Sequence, residues 1–414
     1  MSIKILHFAD AHIDMANFGK RNPDSGMPYR VEDFLKAFDT IVDYAIDHHV
    51  DMVIFAGDAY KDRTPVPTFQ REWGKRVMRL SRAEIPTLLL VGNHDMSPAQ
   101  GRAHTLQEFD TFSIPYIRVI SRLEFLKPRD LFNVPVQVIG VPWISKARVE
   151  TSQKNNGNTD VEDVNDEISS QLQWFLQDCL EKADPQLPVI LTAHASVQGA
   201  KYGRERAVML GKDLVLSRSL VCDPRIDYTA LGHIHKPQDL NENAHPPVIY
   251  PGSIERVDMG EAADEKFFIV ATIDRGHTEI EWVQLHGRKF IDRFLQLKGD
   301  EVNITQSILQ ALPDIESMHD AVVRLVLQYP EGLDAQIHMS DLVFLNDICF
   351  DFHLVKRPQL EARMRLGLDQ NMASLSPLEL LELFLKTKQY EPEQVNELLV
   401  LAKTVMESTN EELV

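Results

Sequence analysis

The sequence predicts a layered α/β architecture for residues 1–285, a small α+β domain after it, and a helical hairpin at the C-terminus. Three observations carry that reading. Strand-like apolar runs alternate with helical patterns through the first part of the chain, as stacked sheets and helices require. From Arg288 onward the pattern shortens to strand, helix, strand and strand. Residues 374–414 then hold two amphipathic stretches, the first with a well-marked start.

In chain order, Ile3 to Ala9, Met52 to Ala56, Thr87 to Val91, Val189 to Ala193 and Tyr228 to Leu231 read as strands, with helical patterns at Val31 to His48 and Thr68 to Ser81. Val248 to Tyr250, Phe267 to Ile273 and Glu279 to Leu285 are separated by short turn-rich pieces, so antiparallel pairing is expected there. Thr151 to Asp163, with Asn155-Asn156-Gly157-Asn158, reads as a surface loop. The chain shows no internal repeat. A second domain over 286–357 is expected from strand Phe290 to Leu297, helix Val302 to Leu312, strand Ala321 to Tyr329 and strand Asp347 to Val355. Residues 358–373 read as a linker, with some helical character over Glu361 to Ala373.

The closing hairpin occupies 374–414. Ser376-Pro377-Leu378-Glu379 combines an N-cap serine, a proline at the first helical position and a capping-box glutamate. Leu378, Leu381 and Leu385 line one face, widened by Leu380, Leu383 and Phe384. After Tyr390-Glu391-Pro392, the residues Val395, Leu398, Leu399, Ala402, Val405 and Met406 form a second stripe. So much apolar surface needs a partner surface, either on its own chain or on another protein, and periodicity does not separate the two.

Composition narrows the class. At 414 residues the chain is too long for one ordinary core, so two or three domains are expected. No stretch approaches the roughly 20 apolar residues of a membrane span. Met1 to Phe8 leads directly into a strand with no secretory signal, which points to the cytoplasm. Cys179, Cys222 and Cys349 are odd in number and lack CxxC spacing, so they read as small hydrophobes rather than as disulfides or thiolate ligands. The formal net charge of -19 repels nucleic acid at long range, so a phosphate backbone would have to be met by a local basic patch or by metal.

The chemistry is carried by short segments in which His, Asp or Asn follows an apolar run: Asp10 and His12, Asp58, Asn93 and His94, His194, and His233 with His235. A lone DxH or a lone histidine more often marks a turn or a satisfied core position. Their shared place at strand ends changes that, because the carboxyl ends of strands in an open α/β sheet converge on one crevice. Phosphodiester hydrolysis needs a hydroxide at neutral pH and neutralisation of charge on the transition state, and two metal ions supply both. Asp58, after Gly57, is expected to bridge them, glycine permitting the turn that aims the carboxylate inward. Asp10 and His12 at i and i+2 on an extended strand end would face the same way, as would His233 and His235 after Gly232. Imidazole, carboxylate and amide oxygen together suit manganese, iron or zinc better than calcium. Asn93 binds without adding charge, which leaves His94 to act on substrate, with Asp95 expected to orient it or raise its pKa.

Asp10-Ala-His12, Gly57-Asp58, Gly92-Asn93-His94-Asp95, His194 and Gly232-His233-Ile-His235 resemble, in order and complete, the motifs of the calcineurin-like metallophosphoesterases. Thr192-Ala-His194-Ala-Ser-Val, Ala230-Leu-Gly-His233-Ile-His235-Lys-Pro-Gln and Tyr250-Pro-Gly-Ser253 are similar to the SbcD-type DNA exonuclease subunits within that superfamily. The resemblance implies a sandwich of two mixed β-sheets flanked by helices, a small DNA-contacting cap, and a hairpin that binds an SMC-like ATPase, SbcC. It implies that Asp10, His12, Asp58 and His235 hold one metal, and Asp58, Asn93, His194 and His233 the other, with His94 stabilising the transition state or protonating the leaving group. Manganese is the metal it implies first, with magnesium, iron or zinc as alternatives. The implied activity is 3'-to-5' exonuclease action on duplex ends and endonuclease action on single strands, by a homodimer within a heterotetramer associated with the nucleoid. Relatives commonly carry histidine or aspartate where this chain has Lys61.

Candidate phosphate contacts are Arg71, Lys75 and Arg79 on one side of the helix after Asp58, and Lys201, Arg204 and Arg206 after His194. Two other readings predict different behaviour. An enzyme of the same fold acting on small phosphodiesters would not depend on DNA ends, and a non-catalytic scaffold would show degenerate ligands.

Overall fold

The computed structural model describes residues 2–97, 102–144, 161–203, 215–330 and 332–359, with short helical pieces between 378 and 403. In chain order the strands are β1 (Ile3–Phe8), β2 (Met52–Phe55), β3 (Thr87–Leu90), β4 (Ile117–Ile120), β5 (Glu124–Leu126), β6 (Gln137–Val141), β7 (Val189–His194), β8 (Ser196–Val197) and β9 (Val215–Leu216). They continue with β10 (Tyr228–Gly232), β11 (Gln238–Asp239), β12 (Val248–Tyr250), β13 (Lys266–Asp274), β14 (His277–Leu285), β15 (Phe290–Gln296), β16 (Val322–Pro330) and β17 (Asp351–Gln359). Helices α1 (Tyr29–Asp47) and α2 (Pro67–Arg82) lie where the periodicity placed them, α2 opening on proline at its first position.

Two mixed six-stranded sheets dominate. One has the order β14-β13-β1-β2-β3-β4, the other β11-β12-β10-β7-β6-β5. β1 to β4 run parallel, and β13 and β14 add antiparallel strands at the side of β1. In the second sheet β6, β7, β10 and β12 run parallel, with β5 and β11 antiparallel at the edges. The antiparallel expectation for Val248–Tyr250 is therefore corrected in part. Its hairpin partner is the two-residue β11, too short to read from composition, and that reversal returns β12 parallel to β10 with Thr229 opposite Val248.

The two-residue period of β1 feeds two cores at once. Ile3 and Ile5 join Met52, Ile54, Leu88, Ile190, Tyr228 and Ile249 in a cluster drawn from both sheets. Leu6 and Phe8 join a second cluster with Val31, Phe34, Phe38 and Ile41 of α1 and Trp73, Val77 and Leu80 of α2, where Phe38 and Trp73 stack at 4.7 Å. The helix Val161–Glu181 covers the second sheet through Ile168, Leu172 and Leu176. Each such side chain, fully buried, contributes about 1.5–3 kcal/mol.

By compactness the chain divides into residues 1–293 with 310–325 and 340–355, and residues 294–309 with 326–339 and 356–414. The first unit holds both large sheets, and in it Phe290, Val322 and Phe350 pack with Met259. Arg288 lies 3.8 Å from the centre of the Phe350 ring and forks onto both oxygens of Asp33 at 2.7 and 2.9 Å. In the second unit Tyr329 donates its hydroxyl to Asp334 at 2.7 Å, and Lys356 reaches the same carboxylate. The strand order β15-β16-β17 forms a separate three-stranded sheet. β17 begins four residues later than expected, because Leu345–Ile348 forms a helical turn instead of the start of a strand.

The C-terminal stretch is helical at Leu378, Leu381, Glu382, Leu385, 394–396 and 398–403. Leu385 and Val395 are buried, whereas Leu398, Val400 and Leu401 are exposed. The helix start at Ser376-Pro377 and the linker after residue 359 lie outside the described residues, as does 151–160 of the expected surface loop, whose last residues open the helix Val161–Glu181. No helix among the described residues is long and apolar enough to cross a membrane. Cys179 and Cys349 are buried and Cys222 half-buried, all three unpaired by disulfides.

Candidate metal centre

The expected ligands meet at the carboxyl ends of β1, β2, β3, β7 and β10, as the crevice rule requires. They do so on strained backbone rather than on extended strand ends. Asp10, His12, Asp58 and His233 have φ of 49°, 36°, 65° and 99°, a region costing on the order of 1–3 kcal/mol per residue. The same-face argument for Asp10 and His12 is thus corrected, since β1 ends at Phe8 and both residues lie in the loop after it, at positive φ. Another set of contacts holds them in place. The amides of Asp10, Ala11 and Ile13 donate to the carbonyls of Gly57, Asp58 and Ala59 at 2.9, 2.9 and 3.1 Å, zipping the first two ligand loops together.

Gly57 has φ 102°, and a Cβ there would fall 2.3 Å from His194 Nδ1, so both freedom and space require glycine. The carboxylate of buried Asp95 accepts the amides of Asp58, Ala59 and Gly92 at 2.9, 3.1 and 2.9 Å and the Thr105 hydroxyl at 3.0 Å. Asp95 therefore ties the Asp58 loop to the Asn93 loop. The expectation that it orients His94 is corrected: His94 Nδ1 lies 2.7 Å from the carbonyl of Lys61. Burial, then the charge on Asp58, pushes the Asp95 carboxyl up to about 7, against the pull of its amide donors.

Two groups of ligand atoms, each within 4.8 Å of one another, are Asp10, His12 and His235, and Asp10, Asp58 and His194. Asp58 Oδ2 lies 3.9 Å from His12 Nε2 and 3.4 Å from His194 Nε2, between the two groups. Asn93 Oδ1 sits 2.9 Å from both His194 Nε2 and His233 Nδ1. The His233 amide donates to both oxygens of Asp10, at 3.1 and 3.0 Å.

The donor chemistry fits cations. His12 Nδ1 faces the Tyr60 carbonyl at 3.2 Å, and His235 Nδ1 faces Glu261 Oε1 at 2.8 Å. Both are acceptors, so each neutral ring carries its proton on Nδ1. The two Nε2 atoms face one another 3.1 Å apart. Burial, and next the charge of the facing His235, drives the His12 pKa well below its usual value, so the His12 ring is neutral and offers its Nε2 lone pair to a cation. At His194, burial opposes the charged ring, but Asp58 and Asp10 lift its pKa to about 9. Burial pushes the Asp10 carboxyl up to about 6. Burial disfavours charge on Asp58 too, yet the neighbouring imidazoles hold its carboxyl well below the usual range. These buried carboxylates and convergent imidazoles have the donor set of a two-cation site.

A model of the calcineurin-like phosphoesterase family matches residues 3–237. The chain belongs to that family. This phosphoesterase is similar to the SbcD component of the nuclease SbcCD of Escherichia coli K12, 25% identical over 388 residues that make up 92% of each chain. It is also similar to the DNA double-strand break repair protein Mre11 of Archaeoglobus fulgidus, 27% identical over 263 residues, 63% of this chain and 52% of that one. The phosphoesterase thus spans about half the length of the archaeal protein. A third relative, the uncharacterised metallophosphoesterase YhaO of Bacillus subtilis, is 24% identical over 289 residues, 69% of this chain and 60% of that one. By family and by site the protein is a metal-dependent phosphodiester hydrolase.

The Tyr250-Pro-Gly-Ser253 stretch supports both halves of the phosphoesterase site. The Tyr250 hydroxyl donates to the Ala195 carbonyl at 2.6 Å, beside His194, and the Ser253 amide donates to the His235 carbonyl at 3.2 Å. Sequence reasoning missed three features. Trp143, just past the end of β6, places its ring 4.9 Å from that of His233; its position after an apolar run was the available signal. Glu261 and Lys266, far from the ligands in sequence, gave no local signal. A groove of about 730 Å³ beside His94 is lined in part by Lys61, Arg63, Val66 and Phe69.

The expected phosphate contacts on α2 are already engaged. Arg71 and Lys75 pair with Glu72 at 2.9 and 2.8 Å, and Arg79 pairs with Asp39 and Asp43. A phosphate would have to compete with those carboxylates. Lys201 is exposed, while Arg204 and Arg206 lie outside the described residues.

Proposed function

We propose that this protein is the nuclease subunit of a DNA end-processing assembly, acting as a 3'-to-5' exonuclease on duplex ends and an endonuclease on single strands, together with an SMC-like ATPase of the SbcC type. One observation supports this reading above the small-diester alternative. The similarity to the SbcD component of SbcCD runs over 92% of both chains, far beyond residue 237, where the family match ends.

When bound, a pair of divalent cations, manganese first, supplies an activated water and neutralises charge in the transition state. Asp10, His12, Asp58 and His235 would hold one, and Asp58, Asn93, His194 and His233 the other. His94, its ring centre 5.2 Å from that of His12, is held by Lys61 through Nδ1, which leaves Nε2 to act on the substrate. Burial lowers the pKa of His94, so the ring is neutral without substrate; the negative charge of a bound phosphate favours uptake of a solvent proton at Nε2, which His94 then gives to the leaving oxygen. Lys61 and Arg63 in the adjoining groove offer positive charge to a backbone phosphate, and Val66 and Phe69 offer apolar contact to a base.

The test is digestion of an end-labelled duplex with manganese, by the protein alone and with its ATPase partner and ATP. His94→Ala is expected to lower turnover at least 100-fold on DNA while both cations stay bound. Loss of activity only on small diesters, with duplex digestion unchanged, would refute the nuclease reading.

A further inference from the structure

Outside the residues that meet the cations, a complete ion pair, Glu261 with Lys266, is buried against a ligand. Glu261 is 4% exposed and Lys266 and Ser253 are fully buried. Glu261 divides its carboxylate between two duties. Oε1 accepts from His235 Nδ1 at 2.8 Å, and Oε2 accepts from Lys266 Nζ at 2.6 Å, the Ser253 hydroxyl at 3.0 Å and the Val257 amide at 3.0 Å. Lys266 also donates to Ser253 Oγ at 2.8 Å and lies 3.4 Å from the His235 carbonyl. Ser253 in turn bridges to Ala9, the residue before Asp10. One carboxylate thereby fixes the ring and one ammonium the backbone of the same histidine.

We infer that Glu261 is a positioning residue that sets the tautomer and basicity of His235 for metal binding, and that Lys266 is its counter-charge. A carboxylate behind an imidazole raises the ring's donor strength and fixes its orientation, and removing such a partner lowers metal affinity about 10–100-fold. A carboxylate buried this deeply persists as an anion only with a cation and hydrogen-bond donors around it, which Lys266, Ser253 and Val257 supply. The inference rests on the two-cation reading of the site, and its test separates the two.

The metal-free full-length chain is titrated with Mn²⁺ and the unbound ion is followed by electron paramagnetic resonance. Wild type is expected to bind two ions; a chain that binds none overturns the site reading itself and this inference with it. Glu261→Gln combined with Lys266→Met removes both charges, leaving no lone charge buried. It is expected to weaken one of the two ions 10–100-fold and the other less than about twofold. Two unweakened ions overturn the inference alone. Lys266→Met by itself leaves Glu261 without its counter-charge, so it is expected to lower the melting temperature and to weaken the same ion as the double variant; two unweakened ions overturn the assignment of Lys266. A double variant that fails to fold passes the decision to wild type. Long-range proton–nitrogen correlation in histidine-labelled, metal-free protein is expected to show His235 protonated at Nδ1, and protonation at Nε2 alone overturns the proposal.

Discussion

An imidazole's role follows from what faces its two nitrogens, and the chain applies that rule to opposite ends. His7, fully buried between the sheets, accepts the Tyr228 hydroxyl at Nδ1, 2.9 Å away, and points Nε2 at the Leu231 carbonyl, 3.2 Å away. Both nitrogens are satisfied by a neutral ring, and burial lowers its pKa to about 3. The unfolded chain binds a proton here near pH 6.5 and the folded chain does not. The stability that His7 contributes is therefore complete above pH 6.5 and is lost as the pH falls towards 3, by roughly 4–5 kcal/mol at most. His7→Gln keeps one acceptor and one donor without the titration. Urea unfolding from pH 7 to pH 4 is expected to show a shallower loss in the variant, and identical slopes would contradict this origin. His194 lies at the other end, its pKa lifted to about 9 by carboxylates that a cation would also satisfy, although burial opposes the charge. Ligation displaces that proton, so Mn²⁺ affinity is expected to rise with pH up to about 9, close to tenfold per unit where one proton is released. Calorimetry in buffers of different ionisation enthalpy measures the proton count directly, and a count of zero at pH 7 would refute the assignment.

The site's precision belongs to its loops as a set. Asp95 gathers the amides of two ligand loops, and the first two loops share backbone hydrogen bonds, so left-handed residues are held where a free chain would not stay. Gly57→Ala puts a methyl 2.3 Å from His194 Nδ1 on a backbone with φ 102°. It is expected to cost at least about 2 kcal/mol and to impair metal binding, measured by thermal melts with and without Mn²⁺. An unchanged melt with full metal affinity would show that the loop tolerates side chains. Strand runs and ligand identities were legible because apolar periodicity and residue type are local properties of sequence. The route by which Asp10 and His12 converge was not, because it depends on hydrogen bonds to residues 57–59. Asp95 looked like a partner for its neighbour His94 for the same reason: adjacency in sequence says nothing of which way a carboxylate turns. The unusual Lys61 contributes to the site through its carbonyl, which any residue could provide, so its side chain is left to the groove. β12 was misread because the two-residue β11 carries no composition signal.

At the scale of the whole molecule, a net charge of -19 opposes long-range approach to DNA, and Arg71, Lys75 and Arg79 of α2 are paired with Glu72, Asp39 and Asp43. In the proposed function, binding of DNA draws on metal, on the short Lys61-Arg63 stretch and on a partner that holds DNA. The C-terminal segment is the proposed point of attachment for that partner. Its described helical residues include Leu398, Val400 and Leu401, which are exposed, so the apolar stripe is not fully used within the chain. The three main hydrophobic clusters are built from residues between 3 and 285 and include no described residue of the tail. Deleting residues 374–414 is therefore expected to leave the two large sheets folded, with Mn²⁺ binding and hydrolysis of small diesters within about threefold of the full chain. Pull-down of the ATPase is expected to be abolished, and with it the stimulation of duplex digestion by ATP. Co-purification of the truncated chain with the ATPase would show that docking lies elsewhere. Loss of the fold would show that the hairpin is part of the core, as the alternative reading of its apolar stripes holds.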